Sequence, residues 1–320
     1  MIRTAVVGVG YLGRFHAQKY ASLPNSHLVG VADPSAQART AVATELGVAA
    51  YADYRELLGH VDAVSVVTPT PLHFEVAKDF LDAGASVLVE KPMTVTVEEG
   101  QSLIDLARRA NRVLQVGHLE RFNAAVLAVQ PTLTVPRFIE SARLAPFKYR
   151  GTDVDVVLDL MIHDIDLILS IVRSPVVAVD AIGTSVFSRE VDIANARLRF
   201  ANGCVANATA SRVSLKTERK LRVFQDDAYI SVDLQQKVLT VIRKGLGVGA
   251  DGVPQVAIEE NSYEQGDALK DEIIAFLDSA ATGSAPQVGG EDGLLALRTA
   301  VTIAEQVANS RRQFSAADST

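Results

Sequence analysis

The hexapeptide Gly8-Val9-Gly10-Tyr11-Leu12-Gly13 constrains this chain more than any other segment. It stands between a short apolar run, residues 4–7, and a stretch of helical spacing, residues 12–22. In that setting each glycine has its own task. Gly8 permits a tight turn, Gly10 lets the backbone approach a pyrophosphate, and Gly13 lets the helix pack on the strand. The helix start then offers unpaired N–H groups to an anion. Asp33 completes the pattern, 20 residues after Gly13 and just past a second apolar run, 27–32, where a ribose hydroxyl needs an acceptor. A bare glycine turn is the alternative, and the flanking strand, helix and acid weigh against it. A carboxylate at position 33 repels a 2′-phosphate, and Pro34-Ser35-Ala36 supply no cation, so NAD is expected over NADP. Arg39, on the following helix, is the cation that leaves this choice open.

The alternation continues to Gly117. Strands are expected at 48–51, 63–67, 86–89 and 113–116, and helices at 35–46, 72–83 and 97–110. Strands apolar at nearly every position and mostly followed by helices imply a parallel sheet covered on both faces, hence a doubly wound α/β domain over 1–118. The rest, 119–320, reads as an α+β domain with an open, mainly antiparallel sheet. Residues 119–150 are mixed, with Pro131 and Pro136, and a strongly apolar helix follows at 156–172. Six strands are expected across 176–243, two of them joined at Asn202-Gly203, a tight-hairpin signal. Four glycines and a proline make 244–254 a flexible loop, and helices at 267–281 and 293–309 close the chain, the last packing back on the first domain. The tail after Arg312 is expected to fray.

Composition narrows the partners. The 31 basic and 38 acidic residues leave a net charge of −7, which disfavours phosphate backbones and anionic lipid. One cysteine, Cys204, makes neither an intramolecular disulfide nor a cysteine-rich metal site. No segment approaches a signal-peptide core or a membrane span, so a soluble, cytoplasmic protein is expected.

Ligands of doubly wound sheets bind beyond the carboxyl ends of the strands. Those ends carry Thr68-Pro69-Thr70-Pro71-Leu72-His73, Glu90-Lys91-Pro92 and Gly117-His118. Lys91 is either a proton donor or hydrogen-bonding cation near a substrate oxygen, or a surface lysine paired with Glu90. The second signal is the 156–172 helix, where Asp159, His163 and Asp166 fall within one narrow face of an otherwise apolar surface. Desolvated charges need partners or a ligand, and an Asp–His couple removes an alcohol proton while hydride leaves carbon. Asp-x3-His also presents two metal ligands, but no further cluster completes a site, so no metal is expected.

Together these residues resemble the glucose–fructose oxidoreductase / inositol dehydrogenase / MocA (Gfo/Idh/MocA) family across nearly the whole chain. The glycine loop, Glu90-Lys91-Pro92, the stretch Gly117-His118-Leu119-Glu120-Arg121-Phe122-Asn123 and Asp159-x3-His163 occur in the family's order. The resemblance implies a Rossmann domain and an open-sheet domain whose outer face pairs subunits into a homodimer or homotetramer. It implies NAD-dependent oxidation of a sugar hydroxyl, with Lys91 and His163 flanking the substrate carbon, Asp159 beside them, and His163 as the base. NAD contacts are implied at Gly8, Gly10, Tyr11, Leu12, Gly13, Asp33, Thr68, Pro69, Thr70, His73, Glu90 and Lys91. Three stretches, 118–123, 142–147 and 159–167, resemble the UDP-N-acetylglucosamine 3-dehydrogenase branch, whose 3-keto product an aminotransferase aminates toward lipid A. By that likeness Lys91, Arg121, Asn123, Arg143, Asp159 and His163 contact the sugar nucleotide, although either arginine also reads as a structural ion pair. Met161 stands where the wider family commonly has glycine. An inositol or free-sugar dehydrogenase, or a non-catalytic NAD-binding regulator on the same scaffold, are the rival readings.

Overall fold

The computed structural model describes residues 1–148, 154–248, 254–263 and 266–317. The chain divides into two compact units, 1–122 with 267–297, and 123–266 with 298–320. In the first, six parallel strands lie in the order β3-β2-β1-β4-β5-β6: β1 (Ile2–Val7), β2 (Ser26–Ala32), β3 (Ala49–Tyr51), β4 (Ala63–Val66), β5 (Ser86–Glu90) and β6 (Leu114–Gly117). All four residues of β4 are buried, as a strand covered on both faces requires. The order reverses between β1 and β4, which sets the ligand crevice at their carboxyl ends. The helices are α1 (Tyr11–Ser22), α2 (Ala36–Leu46), α3 (His73–Asp82) and α4 (Val97–Ala110), the last opened by a Thr96/Glu99 capping box. A late segment joins this unit. Helix α7 (Ala268–Thr282) packs Ile273, Phe276 and Leu277 among Val6, Tyr20 and Leu28. Asp267 caps it and pairs with Lys19 at 2.6 Å.

The second unit holds an eight-stranded sheet in the order β14-β13-β12-β11-β7-β10-β9-β8. Its strands are β7 (Pro136–Leu144), β8 (Val176–Thr184), β9 (Ile193–Phe200), β10 (Val205–Ser211), β11 (Glu218–Gln225), β12 (Ala228–Asp233), β13 (Val238–Val248) and β14 (Pro254–Ser262). Only β7 and β10 pair in parallel; the other neighbours are antiparallel. Along β9, Ala194, Ala196, Leu198 and Phe200 point into the core. Asn195 and Arg197 face outward and hydrogen-bond across to Thr209 and Asn207. Helices α5 (Ala124–Val129) and α6 (Ile162–Val172) also belong to this unit. Helix α8 (Gly290–Ala317) contributes its first part, to Leu297, to the first unit and the remainder to the second.

Several expectations are corrected. The mixed stretch 119–150 contains β7, a central strand. Its inward positions include Ser141 and Arg143, so polar residues on the buried face hide the alternation. Strand β14 was not expected, because its side chains are exposed and carry no apolar period. The loop expected at 244–254 is instead strand to Val248 and again from Pro254, with 249–253 outside the described residues. The antiparallel hairpin expected at Asn202-Gly203 is present between β9 and β10, with Gly203 in the left-handed region at φ 88°. Helix α8 runs past Arg312, where fraying was expected. Among the described residues no helix is long and apolar enough to cross a membrane.

Strand β8 stops at Thr184 for a definite reason. The buried Asp192 carboxylate accepts the N–H groups of Val186, Phe187 and Ser188 at 2.7–2.9 Å and the Ser188 hydroxyl at 2.6 Å. Burial opposes the charge, but these four donors outweigh it and lower the carboxyl to about 2. Asp192→Ala is expected to cost about 1–3 kcal/mol in urea unfolding at pH 7. A depressed folded pKa stabilises above the unfolded value, so the gap between wild type and variant should close as pH falls from about 4 toward 2.

Candidate active site

The first half of the site is built by the β1–α1 turn. Gly8 adopts φ +84°, and a Cβ there would lie 2.6 Å from the Val67 carbonyl oxygen. At Gly13 a Cβ would fall 1.8 Å from the Gly8 carbonyl oxygen, so only glycine lets the helix sit this close. Gly10 caps α1, and a side chain there would meet nothing within 4 Å. Tyr11 and Leu12 follow, both exposed. The helix start is therefore bare and open, which suits a pyrophosphate.

Asp33 stands at the end of β2, its two carboxylate oxygens accepting the Val9 N–H at 2.9 Å and the Ser35 N–H at 2.8 Å. Each oxygen keeps a second lone pair for a ribose hydroxyl. Arg39 does reach back, onto the Asp33 and Pro34 carbonyls at 3.3 and 3.0 Å. A cavity of about 370 Å³ opens here, lined by Gly8, Asp33, Thr68 and Leu72 among others. Thr68 Oγ1 is buried and without a hydrogen-bond partner. An open helix start, a carboxylate with spare acceptors and an unpartnered hydroxyl together fit NAD. Pro69 is exposed and Thr70 half-buried at the same strand end. His73 is only 1% exposed, its ring nitrogens 2.8 Å from the Thr68 and Pro92 carbonyls. It ties two loops together from beneath, and burial, opposed by those contacts, lowers its pKa.

Glu90 and Lys91 follow at the end of β5. Glu90 pairs in register with Gly117 of β6, where a Cβ would stand 2.9 Å from the Glu90 carboxyl carbon. Its Oε1 lies 3.2 Å from His16 Nε2, and its Oε2 accepts the Lys91 N–H at 3.2 Å. Burial opposes ionisation, but His16 and Lys91 prevail and hold the Glu90 carboxyl below its ordinary range. The partly buried Lys91 thus stands next to an ionised carboxylate.

The other expected catalytic residues belong to the second unit. Before α6 the chain makes a π-helical stretch, Val157–Met161, where an uninterrupted α-helix was expected. Asp159 sits on that turn, 38% exposed and 4.0 Å from Arg212 Nη2. His163 is half-buried one turn on. Asp166, expected on the same face, is 1% exposed and buried in the unit. Wide π turns recur at functional sites because they re-aim the side chains they carry.

The expected substrate contacts separate. Arg143 is 4% exposed and its Nε and Nη2 grip Asp164 at 2.7 and 3.3 Å, the structural ion pair. Asn123 caps α5 through Oδ1 and donates Nδ2 to the Leu234 carbonyl, both fold contacts. Arg121, in the first unit, lies 3.8 Å from Asp292 and is 14% exposed. Sequence reasoning missed His16 and Glu272 near Glu90; the buried i,i+4 pair His16 and Tyr20 on α1 was the available signal.

Two family models match the chain: an oxidoreductase family, NAD-binding Rossmann fold, over residues 2–118, and the GFO/IDH/MocA C-terminal domain over 127–231. The chain is 43% identical over 281 residues to the UDP-N-acetylglucosamine 3-dehydrogenase of Acidithiobacillus ferrooxidans, covering 88% of this chain and 89% of that protein. A solved structure of that dehydrogenase superposes with a TM-score of 0.91 at 41% identity, covering 96% of this chain and 97% of that one. The scyllo-inositol 2-dehydrogenase (NAD(+)) of Bacillus subtilis is 29% identical over 238 residues, covering 67% and 68%.

Asp33→Ser is expected to weaken NAD and narrow its advantage over NADP in a fluorescence titration, because it removes an acceptor and a repulsive charge. Arg143→Ala is expected to cost about 3–5 kcal/mol in chemical denaturation, since it removes one partner of a buried ion pair. A variant of unchanged stability that loses only substrate affinity would return Arg143 to the substrate.

Proposed function

The chain belongs to the Gfo/Idh/MocA family of NAD-binding oxidoreductases, and on that premise we propose that it oxidises the 3-hydroxyl of UDP-N-acetylglucosamine to a ketone. The observation that carries this reading is the 43% identity, over 88% of the chain, to a dehydrogenase of that name. NAD supplies the hydride acceptor when bound at the glycine turn and Asp33. The chain's own residues do the rest. Lys91 polarises the substrate oxygen, its charge maintained by Glu90 next to it. His163 accepts the hydroxyl proton as the carbon–hydrogen bond breaks, and Asp159 orients the ring and stabilises its charged form. Arg121 is the remaining arginine for the diphosphate. A cytoplasmic homodimer or homotetramer, built on the outer face of the eight-stranded sheet, and an aminotransferase that consumes the ketone belong to the same reading.

UDP-N-acetylglucosamine is expected to produce NADH, and free N-acetylglucosamine to react far more slowly, lacking the remote groups that position the sugar. Lys91→Ala and His163→Ala should each lower kcat by about 10²–10⁴ with the fold intact. An equal rate with myo-inositol or glucose would discard the sugar nucleotide and leave an inositol or free-sugar dehydrogenase. Absence of NADH with every alcohol tried would favour a non-catalytic NAD-binding protein.

A further inference from the structure

Behind Lys91 the first unit buries more ionisable groups than cofactor binding requires. Helix α7 sends Glu272 into the interior, where it is 0% exposed among the apolar side chains that dock this helix. Neither carboxyl oxygen has a hydrogen-bond partner. Gln115 of β6 donates to the Glu272 backbone carbonyl at 3.1 Å, and its own Oε1 is also buried without a partner. A proton on the Glu272 carboxyl removes the charge from a place where no donor meets it. An ionised carboxylate in the same place has nothing to offset its desolvation.

Glu90 has the opposite surroundings. Buried polar groups lead to it: the Tyr20 hydroxyl and Ser65 Oγ hydrogen-bond at 2.8 Å, Ser65 Oγ and His16 Nδ1 at 3.2 Å, and His16 Nε2, which makes no well-aligned hydrogen bond, lies 3.2 Å from Glu90 Oε1. A carboxylate accepts and cannot donate, so its charge draws the protons of these groups toward Glu90. Two carboxyls in one buried region do not both ionise readily, and the one with donors keeps the charge.

We propose that Glu90 and Glu272 act as one buried acid–carboxylate couple behind Lys91, with Glu272 holding the proton and Glu90 the charge. Glu272 is then a positioning residue. By staying neutral it leaves the couple with one negative charge, which sets the field at Lys91. The acidities agree in direction: burial first, and the Glu90 charge second, raise Glu272 well above an ordinary glutamate, while Glu90 is lowered. Elements packed against α7 carry other charged groups, among them Lys19 of α1 and Glu120 and Arg121 of the 119–122 turn. Lys19 of α1 is taken by Asp267, and Arg121 lies against Asp292. Tyr20 is raised by burial and stays neutral, and His118 ends β6, buried. The role given to Lys91 rests on the reading in the preceding subsection; the proton on Glu272 does not.

The first test is infrared difference spectroscopy of the NAD-loaded full chain at pH 7, wild type against Glu272→Gln. Loss of a carbonyl band of an un-ionised carboxylic acid is expected; loss of a carboxylate band overturns the proposal. Thermal unfolding from pH 4 to pH 8 gives a second readout that needs no substrate. A carboxyl with a raised folded pKa loses stability as pH climbs from its unfolded value through its folded one. Glu272→Gln should therefore melt near wild type at pH 4 and higher than wild type at pH 8. Glu272→Met, which has no polar head, should show the same growing advantage with pH. If wild type gains on both variants as pH rises, Glu272 is ionised and the couple does not exist. The link to Lys91 is read from the alkaline limb of kcat/KM. It should hold its place in Glu272→Gln and move to lower pH in the double variant Glu90→Gln/Glu272→Gln. A limb displaced as far by the single Glu272→Gln change contradicts the shared charge. Failure of every sugar nucleotide to react would count against the proposed function, and the band and the melting curves would still decide the proton.

Discussion

The closeness of α1 to β1 at Gly8 and Gly13 governs what the first unit can do. Because no Cβ intervenes, the helix starts directly over the strand end, with its first N–H groups uncovered. The same closeness carries His16 and Tyr20 down onto Ser65 of β4, so the turn that opens an anion site also seats buried polar groups. Their contact with Glu90 then extends to the end of β5, where Lys91 emerges. One steric condition thus organises both the cofactor end and the charge next to Lys91. A side chain at position 13 would separate helix from strand and disturb the two together.

Most of the parallel sheet was legible because its strands are buried on both faces and therefore read as unbroken apolar runs. The glycine spacing and Asp33 were legible for a similar reason: each answers to one local steric or electrostatic demand. What escaped is long-range. Strand β7 is central, yet Ser141 and Arg143 occupy its buried side because Arg143 has Asp164 to pair with, a partner 21 residues away. Strand β14 buries no apolar face and exists through its ladder with β13. The end of β8 is decided by Asp192, across the loop from the N–H groups it captures.

The candidate site divides along the same line. Lys91, Asp159 and His163 stood out in the sequence by their place at a strand end and on one helix face, and all three keep some exposure. The π turn that carries Asp159 did not, since nothing in its apolar pattern distinguishes it from α-helix. Glu272 was invisible because it looks like any polar residue on an amphipathic helix. Its meaning depends on α7 docking against the sheet, 182 positions from Glu90 along the chain. Arg143 and Asn123, expected at the ligand from their motif positions, are both buried and hold contacts within the second unit.

In the proposed reaction, hydride leaves carbon 3 of a nucleotide-linked amino sugar and arrives on the cofactor. UDP-N-acetylglucosamine deuterated at carbon 3, incubated with the protein and NAD and followed by mass spectrometry, tests it directly. Deuterium is expected in the reduced nicotinamide, together with an unlabelled 3-keto sugar nucleotide. Reduced cofactor without label, or a ketone at another carbon, would contradict it.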